Sequence, residues 1–380
     1  MEVTRARNLF GRFSNIDWAL FFGALAITLA GLVTMSSFVA ENTFFDRQII
    51  WISIALVVFF TASLLDYRFL RRSSVVVLLF GITTFLLVLL FVLGETTHGA
   101  QSRFNIGLFA VQPAELAKLV LIIVLAKYFA RRHIAIASVK HVLISGAYGF
   151  VLFLLVFLQP DFGSAIIIAS IWLGMVLVAG ISRKHLVALF LLSVIAAGGM
   201  WNFGFADYQK DRILTFLNPL ADIQGAGYNA YQATIAVGSG QVTGKSIGYG
   251  TQSKLQFLPE YETDFIFAAF AEEWGFVGVL LLFGLFAVVI LRVLSVASHG
   301  ASNFETLFGV GVAIMILSHF IVHVGMNLGL LPITGTTIPF MSYGGSHLIV
   351  EFLALGMLMG MRRYGRVVRH EDAQKEFVGI

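Results

Sequence analysis

The sequence predicts an all-α, polytopic integral membrane protein with about ten transmembrane helices. Of its 380 residues, 58% are hydrophobic and only 12% are charged. A typical soluble domain is about 25% charged. The mean hydropathy is +0.88, so most of the chain requires an apolar solvent, which a bilayer provides. Basic residues also concentrate in alternate loops, as expected for a chain that crosses a membrane many times.

Ten stretches are apolar enough to cross a bilayer as helices, which takes about 20 residues each. The first is longer than the core of a signal peptide, so we expect an uncleaved first span. Glu115 and Lys118 interrupt the fourth. The ten stretches cover about 17–38, 49–65, 74–93, 111–130, 142–158, 163–181, 185–201, 264–291, 306–330 and 340–361.

The distribution of Lys and Arg predicts the orientation. Loops on the side of the two termini hold 18 of the 25 basic residues, and the alternate loops hold six. Because basic loops stay in the cytoplasm, we expect cytoplasmic termini and a cytoplasmic tail at 362–380. The pI of about 9.3 then follows from topology, and no nucleic-acid partner is expected.

The longest predicted extracytoplasmic loop covers 202–263, between helices 7 and 8. Loops beyond about 15 residues are usually functional or disordered. Its stretch 228–237 is amphipathic and aromatic-rich, which is typical of a segment that contacts membrane lipids at the interface. A structured cap over the bundle is an alternative compatible with that interpretation. We expect the whole chain, 1–380, to form a single membrane domain.

Several ionisable residues lie inside the predicted spans. A charge at the bilayer centre costs about 2.5–3.5 kcal/mol, so such residues indicate function or pairing. Glu115 and Lys118 are three residues apart on one helical face and can pair; a structural pair and a cavity lining both remain open. Glu272 and Glu273 need a partner such as Lys118 or a backbone donor. Four more polar residues are each expected to be satisfied packing residues: His323, Asn327, His347 and Glu351.

Two aspartates precede predicted helices on the outer side. Asp161, in a tight turn between two apolar runs, either caps the next helix or belongs to a site. Thr263 is the expected N-cap of the eighth span, which places Asp264 in the first helical turn. The helix macrodipole there favours an ionised carboxylate. Such a group can accept a proton or hold a divalent cation, and a second capping role is the alternative.

The segment 331–346 joins the last two spans and contains two prolines and three glycines. Non-helical backbone at membrane depth is tolerated only where it is buried in protein or lines a polar cavity. We therefore expect a functional broken element there, with Ser342 and Tyr343 among its site residues.

Six motifs together resemble the SEDS family of bacterial cell-wall proteins (shape, elongation, division and sporulation), most closely its RodA branch. The similarity spans about residues 10–365, and the run 250–260 looks more like RodA than the division-specific branch. Four residues depart from the family pattern, namely Phe104, Ala114, Glu262 and His347. The motifs lie at 99–103, 112–118, 159–163, 211–219, 263–267 and 339–346.

The resemblance implies a peptidoglycan glycosyltransferase that polymerises lipid II, an undecaprenyl-pyrophosphate-linked disaccharide pentapeptide. It would act at the outer face of the cytoplasmic membrane during elongation. The partners implied are a class B penicillin-binding protein, which cross-links the product, and other membrane proteins of the elongation machinery. By family position Asp264 is the catalytic residue, and Glu262 adds negative charge beside it.

This chemistry needs a general base for the attacking sugar hydroxyl and cations for the leaving pyrophosphate. Asp264 is the predicted base, metal ligand or both, with Asp161 as a second ligand of a Mg²⁺ or Mn²⁺ ion. Arg103 and Lys118 are the expected pyrophosphate contacts. The other predicted substrate-binding residues are Gln112, Glu115, Asp161, Arg212, Lys245, Ser342 and Tyr343.

Two other functions are compatible with the polar spans. A lipid II flippase would need polar access from both faces, whereas the polar residues crowd onto the predicted outer side. A non-catalytic scaffold for a penicillin-binding protein would leave the Asp264 motif and the broken element 339–346 without a role.

Overall fold

A computed structural model describes residues 16–38, 43–97, 100–106, 109–130, 139–204, 207–218, 227–255 and 257–378. It confirms a multi-pass helical membrane fold. Ten long helices correspond one to one with the ten predicted spans. They are α1 (Trp18–Ser36), α2 (Thr43–Leu64), α3 (Ser73–Leu93), α4 (Pro113–Ala130), α5 (Val139–Leu158), α6 (Phe162–Ala179), α7 (Arg183–Phe203), α11 (Ile266–Ser298), α12 (Asn303–Asn327) and α13 (Gly345–Val378).

Eight of these helices are long and apolar enough to cross a membrane on their own composition. The other two, α4 and α13, carry more charge. They lie inside the bundle, where α4 packs against α3, α6 and α12, and α13 packs along α2. Most of α4 is buried, including Glu115 and Lys118. In the tail predicted at 362–380, the backbone continues helix α13 as far as Val378.

The helix ends follow local chemistry. Asp17 caps α1 by accepting a hydrogen bond from the Leu20 amide at 3.1 Å, as expected of an N-cap carboxylate. Gly180 ends α6 with φ +98°, a left-handed conformation that glycine adopts without a Cβ penalty.

A small antiparallel sheet between α3 and α4 was not predicted. Its strands are β1 (Glu95–Thr97), β2 (Ala100–Ile106) and β3 (Phe109–Val111), in the order β1-β2-β3. The register pairs Phe104 with Val111. Two of its strands, β1 and β3, have three residues each and are too short to show the alternation by which a strand is recognised in sequence. The sheet leads directly into α4 and sets the position of its first turn.

The described residues of the predicted loop 202–263 contain three helices, α8 (Asp207–Leu217), α9 (Tyr228–Ser239) and α10 (Thr251–Lys254). Helix α9 packs on α11 and α12, and its Ala233 and Ala236 are fully buried. The amphipathic stretch 228–237 therefore forms part of a structured cap.

Helix α11 is broken at Gly275, where φ is +67°. The cap fills the break. Backbone hydrogen bonds join Lys245 N to Glu272 O (3.0 Å) and Phe276 N to Gln241 O (2.9 Å). The helical amides and carbonyls that the break leaves unpaired are thus satisfied by the loop, as burial of backbone requires.

Candidate active site

A cavity of about 540 Å³ opens at the end of the bundle that the charge distribution predicts to be extracytoplasmic. Its lining comes from the start of α2, the sheet, the start of α4, the turn before α11, and the segment before α13. Two arginines and three glutamates give it a strongly ionic character. The polar lining residues are Arg47, Arg103, Gln112, Glu115, Glu260, Glu262, Thr263, Thr337, Tyr343, Ser346 and His347.

Four of the predicted substrate-binding residues line this cavity, namely Arg103, Gln112, Glu115 and Tyr343. They are far apart in sequence, and the bundle brings them together. Gln112 is held by its backbone amide, which donates to Ser346 Oγ at 3.1 Å. Of the residues described, these four are the predicted site residues in direct contact with the cavity.

Lys118 lies directly beneath the cavity and is 1% exposed. Its ammonium donates to Glu115 Oε1 at 2.8 Å and lies 3.0 Å from His319 Nε2. His319 Nδ1 is bonded to Met315 O at 2.9 Å, so Nε2 is the acceptor of the Lys118 proton. The predicted Glu115–Lys118 pair is therefore present, and it is part of a larger cluster.

The same cluster contains a donor set of the kind that binds metals. One ligand atom each from Glu115, His319 and His347 lies within 4.8 Å of the others. Two histidines and one carboxylate suit transition metals such as Zn²⁺. Lys118 Nζ lies in hydrogen-bond contact with two of the three residues. A positive charge is therefore already in place where an ion would bind.

Asp264 lies in a turn, because α11 begins at Ile266 rather than at Asp264. The expectation that Thr263 caps the helix is wrong. The turn is closed instead by Glu260 O, which accepts from the amides of Thr263 and Phe265, each at 3.1 Å. Two backbone bonds to one carbonyl favour this compact turn over an earlier start of the helix.

Asn327, at the end of α12, fixes the backbone around Asp264. Its Nδ2 donates to Asp264 O at 3.0 Å, and its Oδ1 accepts from Ala268 N at 3.2 Å. Asn327 thus caps α11 from another helix. The Asp264 carboxylate lies against Gly335, since a Cβ built at Gly335 would be 3.4 Å from Asp264 Oδ2.

The broken segment before α13 is bonded to the same turn. Ser342 Oγ donates to Thr263 O at 2.9 Å, and Tyr343 N donates to Glu262 O at 2.9 Å. Ser342 is buried, with Oγ also accepting from Ile338 N at 2.9 Å. Its observed role is to hold the backbone beside Asp264, so substrate contact by Ser342 stays a prediction.

Asp161 has the capping role that the sequence left open, and it also bonds to a residue of the cavity lining. Its Oδ1 accepts from Ser164 N at 3.0 Å, which caps α6, and its Oδ2 accepts from Gln112 Nε2 at 2.9 Å. It therefore orients a residue that lines the cavity. Each of its oxygens already has a hydrogen-bond partner, so metal ligation by Asp161 stays a prediction.

Lys245 belongs to the cap rather than to the cavity lining. Its ammonium donates to Glu272 Oε1 at 2.7 Å. Glu272 also accepts from Thr251 N at 2.9 Å, and Glu273 accepts from Gly248 N at 3.0 Å. Of the two kinds of partner expected for these glutamates, backbone donors are present, whereas Lys118 bonds to Glu115 instead. Substrate binding by Lys245 and by Arg212, whose side chain lies outside the described part, stays a prediction.

Glu262 faces the cavity from the turn before Asp264. Burial raises the pKa of this carboxyl above its usual value, and the charge of Glu260 raises it further. The residue is only 8% exposed.

Sequence reasoning missed the positions of Asn327, His319 and Arg47 in this site. Asn327 and His323 are four residues apart at the outer end of the ninth span, and polar pairs at that spacing share a helix face. This spacing could have indicated that Asn327 belongs to the site. Arg47 precedes the apolar run of the second predicted span, and no motif distinguishes it from a topology-determining charge.

A protein-family model identifies the proteins to which this chain is related. The model of the FtsW, RodA and SpoVE family, described as "Cell cycle protein", matches residues 13–367. The chain belongs to this family. The resemblance to SEDS proteins is thereby confirmed, since the match covers nearly the whole chain.

Curated relatives of this FtsW, RodA and SpoVE family member are similar over most of their length. Peptidoglycan glycosyltransferase MrdB of Escherichia coli is 36% identical over 290 residues, which cover 76% of this chain and 78% of MrdB. Stage V sporulation protein E of Bacillus subtilis is 35% identical over 332 residues, covering 86% and 89%. The relatives support a glycosyltransferase role in cell-wall synthesis.

Solved structures share the fold. A chain from a peptidoglycan synthase complex, studied for its coordination of polymerization and crosslinking, superposes with a TM-score of 0.79 at 31% identity. The match covers 92% of this chain and 98% of that chain. Rod shape determining protein RodA of Thermus thermophilus superposes with a TM-score of 0.69 at 29% identity, covering 91% and 96%.

Proposed function

We propose that this protein is a peptidoglycan glycosyltransferase that polymerises lipid II at the outer face of the cytoplasmic membrane. The observation that carries the proposal is the cavity, whose lining combines Arg47 and Arg103 with Thr263, the residue before Asp264. A reaction with a sugar nucleophile and a diphosphate leaving group needs cations and a carboxylate in one place. The names of the relatives support the same activity.

In the proposed reaction Asp264 is the general base. It accepts the proton of the attacking sugar hydroxyl while that oxygen bonds to the anomeric carbon of the donor sugar. The bond from the anomeric carbon to the lipid diphosphate breaks on the opposite face, so the configuration inverts. Proton transfer from a positioned base contributes about 10²–10⁴-fold to such reactions. The bonds from Asn327 support this role because they fix the Asp264 backbone.

The diphosphate leaves as a stable anion and needs positive charge more than a proton. Arg47 and Arg103 line the cavity and would contact it. Lys118 would contribute indirectly, because its ammonium offsets the negative charge of Glu115 in the cavity lining. A bound Mg²⁺ or Mn²⁺ would supply further neutralisation of the diphosphate. Magnesium typically uses one or two carboxylates together with phosphate oxygens, and Asp264 and Asp161 are the candidates.

The proposed orientation rests on the excess of Lys and Arg on the side of the termini. Every lining residue of the cavity then belongs to the outer side. The proposed partner is a class B penicillin-binding protein, supported by the likeness to a chain from a peptidoglycan synthase complex. Glycan strands made at this cavity would pass directly to that cross-linking partner.

The test is reconstitution of the purified protein with its penicillin-binding partner in liposomes supplied with lipid II and Mg²⁺. Wild type and the control Glu305→Gln, changed at the far end of the bundle, should form glycan polymer. Asp264→Ala should form none at equal partner binding. Translocation of the lipid II head group without polymer would contradict the proposal and support a flippase.

A further inference from the structure

Four buried ionisable side chains form a continuous row from α4 to α13. Lys118 Nζ lies 2.8 Å from Glu115 Oε1, and Glu115 Oε2 lies 3.0 Å from His347 Nδ1. His347 Nε2 in turn lies 2.9 Å from Glu351 Oε1. All four residues are at least 95% buried. A protonated His347 makes the four charges alternate in sign and sum to zero, which is how charges are tolerated in an apolar interior.

The row ends on the backbone of the broken segment. Glu351 Oε2 accepts a hydrogen bond from Phe340 N at 2.7 Å. Phe340 has φ +62°, a left-handed conformation that a bulky residue rarely adopts and that its surroundings must maintain. Its ring is fully buried and packs edge-on against Phe352, with the ring centroids 5.5 Å apart. Glu351 thus stabilises an unfavourable turn at its centre.

This turn is the one that holds the peptide beside Asp264. Two residues after Phe340, Ser342 Oγ donates to Thr263 O, and Tyr343 N donates to Glu262 O, both at 2.9 Å. The turn 338–343 therefore connects the two side chains to the residues directly before Asp264.

We propose that His347 and Glu351 are positioning residues for Asp264, acting through the turn 338–343. His347 orients the Glu351 carboxylate between itself and Phe340 N, and Glu351 holds the turn in its left-handed conformation. The turn then sets where Glu262 and Thr263, and hence Asp264, lie relative to the cavity. The inference rests on the proposed glycosyltransferase function for its effect on rate, but its structural part is independent of that function.

The test compares Glu351→Ala and Glu351→Gln with the control Glu305→Ala. Glu305 is a similarly buried carboxylate at the other end of the bundle, where it pairs with Arg71. The glutamine keeps an oxygen for Phe340 N, whereas the alanine removes it. All three are measured in the reconstituted complex for kcat and KM on lipid II, and by hydrogen–deuterium exchange of the peptides covering 338–344 and 260–266.

We expect Glu351→Ala to lower kcat by about tenfold or more with KM nearly unchanged, because misplaced catalytic groups slow the chemical step. Both peptides should exchange faster in that variant. Glu351→Gln should restore most of the protection and part of the rate. Glu305→Ala should leave the two peptides and kcat as in wild type. His347→Asn should shift both readouts in the same direction as Glu351→Ala.

Two results would overturn the inference. The first is unchanged exchange at 338–344 and 260–266 in Glu351→Ala. The second is faster exchange there with kcat no lower than in Glu305→Ala. A wild-type complex without polymerase activity but with the expected exchange differences would contradict the proposed function and leave the structural link intact.

Discussion

At the scale of single residues, Asp264 depends on small neighbours and on backbone bonds. Its carboxylate lies against Gly335, which has φ +69° and tolerates that conformation because it lacks a Cβ. Asn327 Nδ2 donates a hydrogen bond to the backbone carbonyl of Asp264. Asp264 is therefore positioned by contacts from two elements: the loop after α12 lies against its carboxylate, and α12 bonds to its backbone.

Gly335→Ala tests this dependence against Gly248→Ala. Both glycines have positive φ, +69° and +82°, but a Cβ at Gly248 meets open space, whereas one at Gly335 would contact Asp264 Oδ2. We expect both variants to lose roughly 1 kcal/mol of stability. Only Gly335→Ala should lose polymerase activity. Thermal unfolding in detergent and a lipid II polymerisation assay measure the two effects; equal activity in both variants would contradict this placement.

Glu115, His319 and His347 form a potential metal-binding cluster, and the Lys118 ammonium already contacts two of them, Glu115 and His319. We expect wild type to bind no transition metal at this cluster, and Lys118→Ala to bind about one Co²⁺ or Zn²⁺ per chain, since three ligands then remain. Metal content after dialysis and the Co²⁺ absorption spectrum measure the gain. The double variant Lys118→Ala/His319→Ala should lose it. Metal bound at the cluster in wild type would refute the assignment of Lys118 as the resident cation.

At the scale of elements, three helices are joined by a charged contact at the end predicted to be cytoplasmic. Asp17, which caps α1, pairs with Arg292 of α11 and Arg362 of α13. Burial raises the pKa of Asp17, but the hydrogen bonds from Arg292 and the Leu20 amide and the charges of Arg292 and Arg362 together outweigh that effect, so the pKa lies below its usual value of 3.8.

A carboxyl whose folded pKa is lowered stabilises the fold above its unfolded pKa and loses that contribution as pH falls through the folded value. Asp17→Asn should therefore lower the unfolding temperature at pH 7, with the difference from wild type shrinking below pH 3.8. Glu305→Gln at pH 7 controls for loss of a buried carboxylate elsewhere. A difference that is equal at pH 7 and pH 3 would contradict the ion pairing.

The apolar spans were predictable because each is a long run of mostly apolar residues. The break at Gly275 was not, because its neighbours Trp274 and Phe276 continue the apolar run. The break exists because residues 241–246, about 30 positions earlier, supply its hydrogen bonds. Long-range backbone pairing leaves no local pattern, and the same is true of the bonds from Ser342 and Tyr343 to the turn before α11.

The candidate site was predictable to a similar extent. The motifs indicated Arg103, Gln112, Glu115 and Lys118, and the structure brings the first three to one cavity and the fourth beneath it. The partner of Lys245 was not predictable, because Glu272 lies in another element. Considered singly, His347 and Glu351 were each expected to be packing residues. Only the fold shows that they are consecutive members of one charged row.

At the scale of the whole molecule, the account requires one orientation. The chain contains no cysteine, so single cysteines report position without background. Tyr249→Cys, in the exposed cap, should react with a membrane-impermeant maleimide on intact cells. Arg68→Cys, in the exposed turn after α2, should react only after permeabilisation. The opposite pattern would place the cavity in the cytoplasm and contradict the proposed function.

The most direct measurement of the central claim is the rate of glycan polymerisation by the purified complex of the Asp264→Asn variant. Asparagine keeps the size of the side chain and removes its basicity, and Asp66→Asn, at an exposed position in the turn after α2, serves as control. We expect Asp264→Asn to be slower by roughly 10²–10⁴-fold and Asp66→Asn to match wild type. A rate for Asp264→Asn within a few-fold of wild type would contradict the account.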